Sequence, residues 1–197
     1  MPNALFRHLP TLETDRLILR PLRLTDAEDV FAYASDPEMT HYTTWTAHRS
    51  LADSRHFLQA KLMSYAHGEP SNWGVVLAAS GRLIGTCGFV SWNPDHRRAE
   101  IGYALARRHW GQGLTTEAVR AVVDFSFRQT ELYRLQALCL IPNHASARVM
   151  EKVGMRYEGI LRGFADHQGQ FSDLKIYAIL RPDWESRRLS ATGASPA

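Results

Sequence analysis

An α/β fold built on a mixed β-sheet flanked by helices is the architecture this sequence predicts, and three observations predict it. Strand-type and helix-type runs succeed one another along the chain in the order strand, two helices, three strands, helix, strand, helix, two strands. The second half reads strand–helix–strand–helix, a connection that places at least one parallel pair inside the sheet. The chain suits one core: 197 residues, 45% hydrophobic and 22% charged, with no internal repeat or linker. No apolar run approaches the roughly 20 residues that cross a membrane.

Each element has its own signal. Residues 16–23 (RLILRPLR) set Leu17 and Leu19 against Ile18 and charges, an opening strand with Pro21 near its end. Thr25 and Glu28 stand at capping-box spacing, and Val30, Phe31 and Ala34 follow on one helical face. Residues 36–50 lack a sustained period and read as a short helix or loop. Leu51, Leu58, Leu62 and Tyr65 recur at helical spacing until Gly68. Residues 73–79 and 83–90 are β runs joined at Ser80-Gly81, a hairpin pair. After an Asn93-Pro94-Asp95 turn, 99–106 forms a third strand. Leu114, Ala118, Ala121, Val122 and Phe125 make a helix stripe, and 135–141 is a strand stopped by Pro142. Ala145, Val149 and Val153 mark a helix closed by Gly154, and two strands, 155–164 and 171–180, flank a turn at Gly169. Residues 1–182 thus form one domain, and the polar, small-residue stretch 183–197 is expected to be a disordered tail.

The net charge is +3, from 23 Lys+Arg against 20 Asp+Glu. The cations are interleaved with the anions, with doublets only at Arg97-Arg98, Arg107-Arg108 and Arg187-Arg188. That balance suits a protein that meets a small polyanion better than a nucleic-acid binder, and no RNP1-type stacking motif is present. Cys87 and Cys139 lie in apolar runs without CxxC spacing and are expected as buried free thiols. Residues 1–10 lack the apolar stretch of a secretory leader, so the expected compartment is the cytoplasm. No His/Cys/Asp group has metal-ligand spacing, and no metal is expected.

The segment 99–117 (AEIGYALARRHWGQGLTTE) carries the chemistry. A strand feeds a loop containing Gly111 and Gly113, and a helix begins at once. Free N–H groups and the positive dipole end at such a start attract an anion, and glycines keep Cβ atoms away from those amides. Arg107 and Arg108 add charge beside it. The plain alternative is a turn that merely needs two glycines. A Walker A loop is excluded because no Gly-Lys-Ser/Thr follows, and a dinucleotide fingerprint because Thr116 stands where its third glycine belongs.

Arg108-His109-Trp110-Gly111-Gln112-Gly113 matches the Arg/Gln-x-x-Gly-x-Gly/Ala signature of the GCN5-related N-acetyltransferases. With LETDRLILRPLR, AEIGYAL, and NHASARVMEKVGM followed by YEG, nearly the whole chain resembles the RimJ/RimL-type ribosomal-protein acetyltransferase branch of that family. The resemblance implies acetyl-CoA as donor, an amine as acceptor, and two neighbouring strands that splay to admit pantetheine. It implies that Gly111, Gln112, Gly113, Leu114 and Thr115, next to Arg108, wrap the pyrophosphate. It further implies that backbone groups of Ala104, Leu105 and Ala106 hold the pantetheine arm. An N–H near Ala104 would face the thioester oxygen and stabilise the oxyanion. Asn143 is implied to touch the CoA arm, and Ser146 to protonate the departing thiolate.

Glu100 shares a strand face with Gly102 and Ala104, small neighbours that leave room for an acceptor. Four strand residues span about 13 Å, so its role would be that of a general base acting through water. Its alternative is a structural carboxylate paired with Arg97 or Arg98. Asn143 is a helix N-cap in its own right. Ser146 is either an acid or a polar residue of the first helical turn, and Tyr157 is the rival acid or a core tyrosine. Cys139 reads as a buried thiol rather than an acetyl carrier. His41, Tyr42, Trp45 and His48 lie where relatives build an acceptor wall, or simply form a packed loop.

The resulting expectation is direct acetyl transfer in a ternary complex. An α-amine (pKa near ~8) asks less of one water-relayed carboxylate than a lysine amine (~10.4), which favours a protein N-terminus. Small amines (a polyamine, an antibiotic or an amino acid) and a non-catalytic acyl-CoA-binding domain are the alternatives. No membrane partner is expected, nucleic acid only indirectly through a ribosomal-protein substrate, and a homodimer stays open.

Overall fold

The computed structural model describes residues 4–167 and 169–192. The chain opens with one helical turn, α1 (Ala4–Arg7), which buries Phe6, and a two-residue strand, β1 (Leu12–Glu13). Neither is long enough to show a period in the sequence. β2 (Leu17–Pro21) follows with Leu17 and Leu19 fully buried.

The turn into α2 (Ala27–Ala34) is not closed by the expected Thr25/Glu28 box. Asp26 takes that place. Its carboxylate accepts from the Arg23 N–H at 2.7 Å and from both ends of the Arg20 guanidinium at 2.9 and 2.7 Å. Held by Arg20 from β2, the chain makes a 3-10 turn over Leu24–Asp26 before the helix starts. The stretch 36–50 contains α3 (Pro37–Thr40), capped by Asp36, and then a loop. α4 (Leu51–His67) begins at a Ser50/Asp53 capping box and ends at Gly68, whose φ of 69° is the left-handed stop that glycine tolerates.

Next come β3 (Asn72–Leu77), β4 (Leu83–Asn93), β5 (Arg98–Leu105), α5 (Leu114–Gln129), β6 (Arg134–Leu140), α6 (His144–Lys152), β7 (Arg156–His167), β8 (Gln170–Leu180) and α7 (Arg181–Thr192). The strands form one eight-stranded sheet in the order β1-β2-β3-β4-β5-β6-β8-β7. Every pairing is antiparallel except β5 with β6, the parallel pair that the strand–helix–strand order demands.

Adjacent strand residues face opposite sides. Tyr33 of α2 reaches Thr86 of β4. Phe125 of α5 packs edge-on against Trp73, the β3 partner of Cys87, with centroids 5.4 Å apart. Helices α2 and α5 therefore cover opposite faces of the sheet. Both cysteines are buried free thiols.

Residues 183–192, expected to be disordered, are helical in α7. The Trp184 indole N–H donates to Asp124 at 2.6 Å, and its ring lies against Phe127. Arg181 donates to the carbonyls of Leu132, Phe127 and Thr130 at 3.0, 2.7 and 2.6 Å. One aromatic anchor and one guanidinium dock a helix that polar composition alone reads as tail. Positions 193–197 lie outside the described residues.

Candidate active site

The sheet opens where its one parallel pairing stops. β5 and β6 pair only through Arg98, Ala99 and Glu100 with Arg134, Leu135 and Gln136. Beyond that point β5 follows β4 and β6 follows β8, leaving a wedge between 101–105 and 137–140. The Ala106 N–H donates to Ile84 across β4 at 2.8 Å. Alternation along the strand then turns the Ala104 amide towards β4 and the N–H groups of Tyr103 and Leu105 towards the wedge. The donor available beside Ala104 is therefore its neighbour's amide. The Leu105 carbonyl accepts from the Trp110 indole at 2.7 Å.

At the head of the wedge lies the glycine loop. Gly111 and Gly113 adopt φ of 74° and 77°, and Gly113 is the N-cap of α5 without any side-chain cap bond. A Cβ at Gly111 would meet nothing within 4 Å, so this glycine is required for its left-handed backbone rather than for lack of space. Among the described residues, none accepts from the N–H of Gly111, Gln112, Gly113, Leu114 or Thr115. Five open amides at the positive end of a 16-residue helix fit a pyrophosphate. Arg108 is exposed beside them, its Nε donating to His109 at 3.1 Å.

Two residues that sequence reasoning missed shape this loop. The Arg16 guanidinium donates to the Gln112 carbonyl at 3.0 Å and pairs with Glu117 at 2.6 Å. Glu117 also accepts from Thr14 and from the Arg16 N–H. Burial alone would raise the Glu117 carboxyl, but these donors hold it below the usual carboxylate range. Contacts across a hundred residues leave no trace in local spacing.

Glu100 sits half-buried at the apex of the wedge. Burial pushes its carboxyl above the ordinary range, opposed by the Gln136 amide, which donates to it at 3.2 Å. Among the described residues, neither Arg97 nor Arg98 forms an ion pair; the Arg97 guanidinium lies over the Tyr133 ring at 5.9 Å. The expected room next to Gly102 is partly filled. A bulge in β4 places Val90 opposite, and a Cβ at Gly102 would meet Val90 Cγ2 at 2.9 Å.

Across the wedge, Asn143 caps α6, its Oδ1 accepting from the Ser146 N–H at 3.0 Å. Ser146 Oγ lies 2.9 Å from the Tyr103 hydroxyl of β5. The rival Tyr157 lies on β7, two strands beyond β6 or about 10 Å away. Its ring lies tilted against Tyr177 at 5.4 Å and the residue is 51% exposed, so it is not a core tyrosine either. Burial pushes both the Cys139 and the Cys87 thiols up, the wrong direction for a nucleophile. Among the described residues, no group of three or more His, Cys, Asp or Glu is placed to hold a metal.

The loop between α3 and α4 gathers aromatics. His41 packs edge-on to Tyr42 at 4.5 Å, and His48 lies 5.6 Å from Trp45 with its Nδ1 2.9 Å from Ser54 Oγ. Burial lowers the pKa of His48. The β7–β8 hairpin reaches this loop through His167, 3.0 Å from the His41 carbonyl, and Arg107, just after β5, pairs with Asp36 at the start of α3 at 2.8 Å.

The acetyltransferase (GNAT) domain profile matches residues 16–156. The chain is 36% identical over 173 residues to the uncharacterized N-acetyltransferase YoaA of Bacillus subtilis, covering 88% of this chain and 98% of that one. It is 28% identical over 130 residues to the ribosomal-protein-serine acetyltransferase of Escherichia coli, covering 66% and 72% of the two chains. The crystal structure of a GNAT-family acetyltransferase from Bacillus anthracis superposes with a TM-score of 0.78 at 29% identity, covering 88% of this chain and 99% of that one. With the profile spanning most of the sequence and this fold beneath it, the chain belongs to the GCN5-related N-acetyltransferases and is an acetyl-CoA-dependent N-acetyltransferase.

Proposed function

We propose that the enzyme moves the acetyl group directly from acetyl-CoA to a protein N-terminal α-amine within a ternary complex. The observation that carries this reading is the wedge between β5 and β6, with a raised carboxyl, Glu100, at its apex and a serine hydroxyl, Ser146, across its wide end. Bound acetyl-CoA supplies an activated acetyl thioester. Gly111, Gln112, Gly113, Leu114 and Thr115 hold its pyrophosphate through their amides, with Arg108 adding charge. Backbone groups of Ala104, Leu105 and Ala106 and the Asn143 amide flank the arm. Glu100, a stronger base for being buried, takes the amine proton through water. An open amide of Tyr103 or Leu105 stabilises the oxyanion, and Ser146 gives the sulfur a proton. Direct transfer is supported by the raised pKa of both thiols, which disfavours an acetyl-cysteine.

The acceptor class is supported by the name of the Escherichia coli relative and by the lower pKa of an α-amine. A cytoplasmic site of action is supported by the ribosomal-protein substrate in that relative's name; no helix among the described residues is long and apolar enough to cross a membrane. The test is an acceptor screen with isotopically labelled acetyl-CoA, read by mass spectrometry over N-terminal peptides, lysine peptides, polyamines, aminoglycosides and amino acids. Label on peptide α-amines is the expected result. Label confined to a small amine reassigns the acceptor, and no label with intact acetyl-CoA binding leaves a binding domain.

A further inference from the structure

Among the described residues, Tyr103 is the side chain that crosses the wide end of the wedge and sets a hydroxyl on Ser146. It sits on β5 after that strand has parted from β6, on the face opposite Glu100, Gly102 and Ala104. Its oxygen is 2.9 Å from Ser146 Oγ and 3.2 Å from the Ser146 carbonyl. The serine backbone is already fixed, because its N–H is held by Asn143. What stays free is the direction of the hydroxyl proton.

The phenol has one proton to give and two oxygens within reach. If it donates to the carbonyl, Ser146 Oγ–H points back at the phenol and is spent. If it donates to Oγ, the seryl proton is free to point elsewhere. Cys139 adjoins the same hydroxyl, and burial holds its thiol protonated. Tyr103 also keeps its proton, since burial pushes its pKa up. The hydroxyl set is therefore a fixed donor, Tyr103, acting on a movable one, Ser146.

We propose that Tyr103 is a positioning residue for thiolate departure, donating to Ser146 Oγ and so turning the seryl proton towards the sulfur. The reading rests on the acid role assigned above to Ser146. As the C–S bond breaks, its electron pair stays on sulfur and the Ser146 proton moves there, giving the free thiol of CoA. Ser146 regains a proton through water from the one that the acceptor amine gave up. Tyr103 keeps its own proton throughout and steadies the charge that builds on Oγ.

The test compares wild type with Tyr103→Phe, Ser146→Ala and the double variant. It reads single-turnover acetyl transfer at saturating acetyl-CoA, the Kd of CoA, and a thermal melt. Tyr103→Phe keeps the ring, so Kd should stay within about twofold while transfer slows by about five- to thirtyfold. The double variant should transfer no more slowly than Ser146→Ala alone, because the phenol acts only through the serine. A Tyr103→Phe loss that multiplies the Ser146→Ala loss, or a lowered melt with weakened CoA binding, overturns the proposal and makes the phenol structural. Full transfer in Tyr103→Phe beside a slow Ser146→Ala overturns it while sparing the serine. Full transfer in Ser146→Ala removes the acid role and the proposal with it.

Discussion

Glu100 is shaped by its immediate neighbours. Its half-buried carboxyl faces one amide donor, Gln136, and no cation among the described ion pairs, so burial wins and its proton affinity rises. As the base proposed above, with its pKa raised, Glu100 would give an acid limb in kcat/KM above the ordinary carboxylate value near ~4.3. Below that limb the carboxyl is protonated and accepts nothing; above it the base is ready. Glu100→Gln should lose about 10²–10⁴-fold in transfer at neutral pH while acetyl-CoA binds as before. The deficit should shrink as alkali deprotonates the amine directly, and the acid limb should vanish from the variant's profile. Equal pH–rate profiles for the two proteins would return Glu100 to a structural role. Its residue type and strand face are legible in the sequence. Its environment is not, because Gln136 arrives from another strand and Val90 through a bulge that adds one residue to β4.

At the scale of an element, the start of α5 is the feature on which the site depends. Its open amides favour an anion, yet Glu117, in its first turn, carries the opposite preference: a carboxylate there would repel the pyrophosphate proposed for those amides. Arg16 resolves the conflict by pairing with Glu117 and holding the Gln112 carbonyl. Arg16→Ala should therefore raise the Kd of acetyl-CoA by about two- to tenfold, with the larger effect at low salt. The melt should move little, because Arg16 is half exposed and Glu117 keeps its donors from Thr14 and the backbone N–H of residue 16. Calorimetric titration at two ionic strengths checks this, and salt-independent weakening would point to loop distortion alone. Gly113→Ala acts on the backbone instead: φ of 77° strains any side chain, so binding should weaken by about the cost of a left-handed residue, near 1 kcal/mol or about fivefold, with Arg16 3.6 Å from the added Cβ. The loop itself is readable from Gly111 and Gly113 before a helical stripe. Arg16 is not, since nothing about an arginine at the mouth of a strand says which loop it meets after folding.

Across the whole molecule, α5 works as a strut between the glycine loop proposed to hold the cofactor and the C-terminal helix. Sixteen residues span about 24 Å, so the amides at one end and the carbonyls at the other are independent sites on one rod. Arg181 occupies the far end. Its guanidinium donates to three carbonyls, lies over Phe127 at 5.5 Å, and sets a cation against the negative end of the helix dipole. Helices and strands with a long hydrophobic period were legible, whereas α7 was not, because Trp184 is its single buried aromatic in a run otherwise made mostly of charged, polar and small residues. Arg181→Ala would leave those carbonyls short of donors and undock α7, at a cost of about 2–3 kcal/mol, since orphaned buried acceptors lose about 1–3 kcal/mol. For a chain of this size that lowers Tm by about 5–10 °C. The distance argues that the Kd of acetyl-CoA, measured well below the lowered Tm, should stay within about twofold of wild type. A thermal melt and a titration on the same sample separate the two effects. Weakened binding without a lowered melt would mean that α5 transmits strain along its length, and the docking of α7 would then belong to the site rather than to the scaffold.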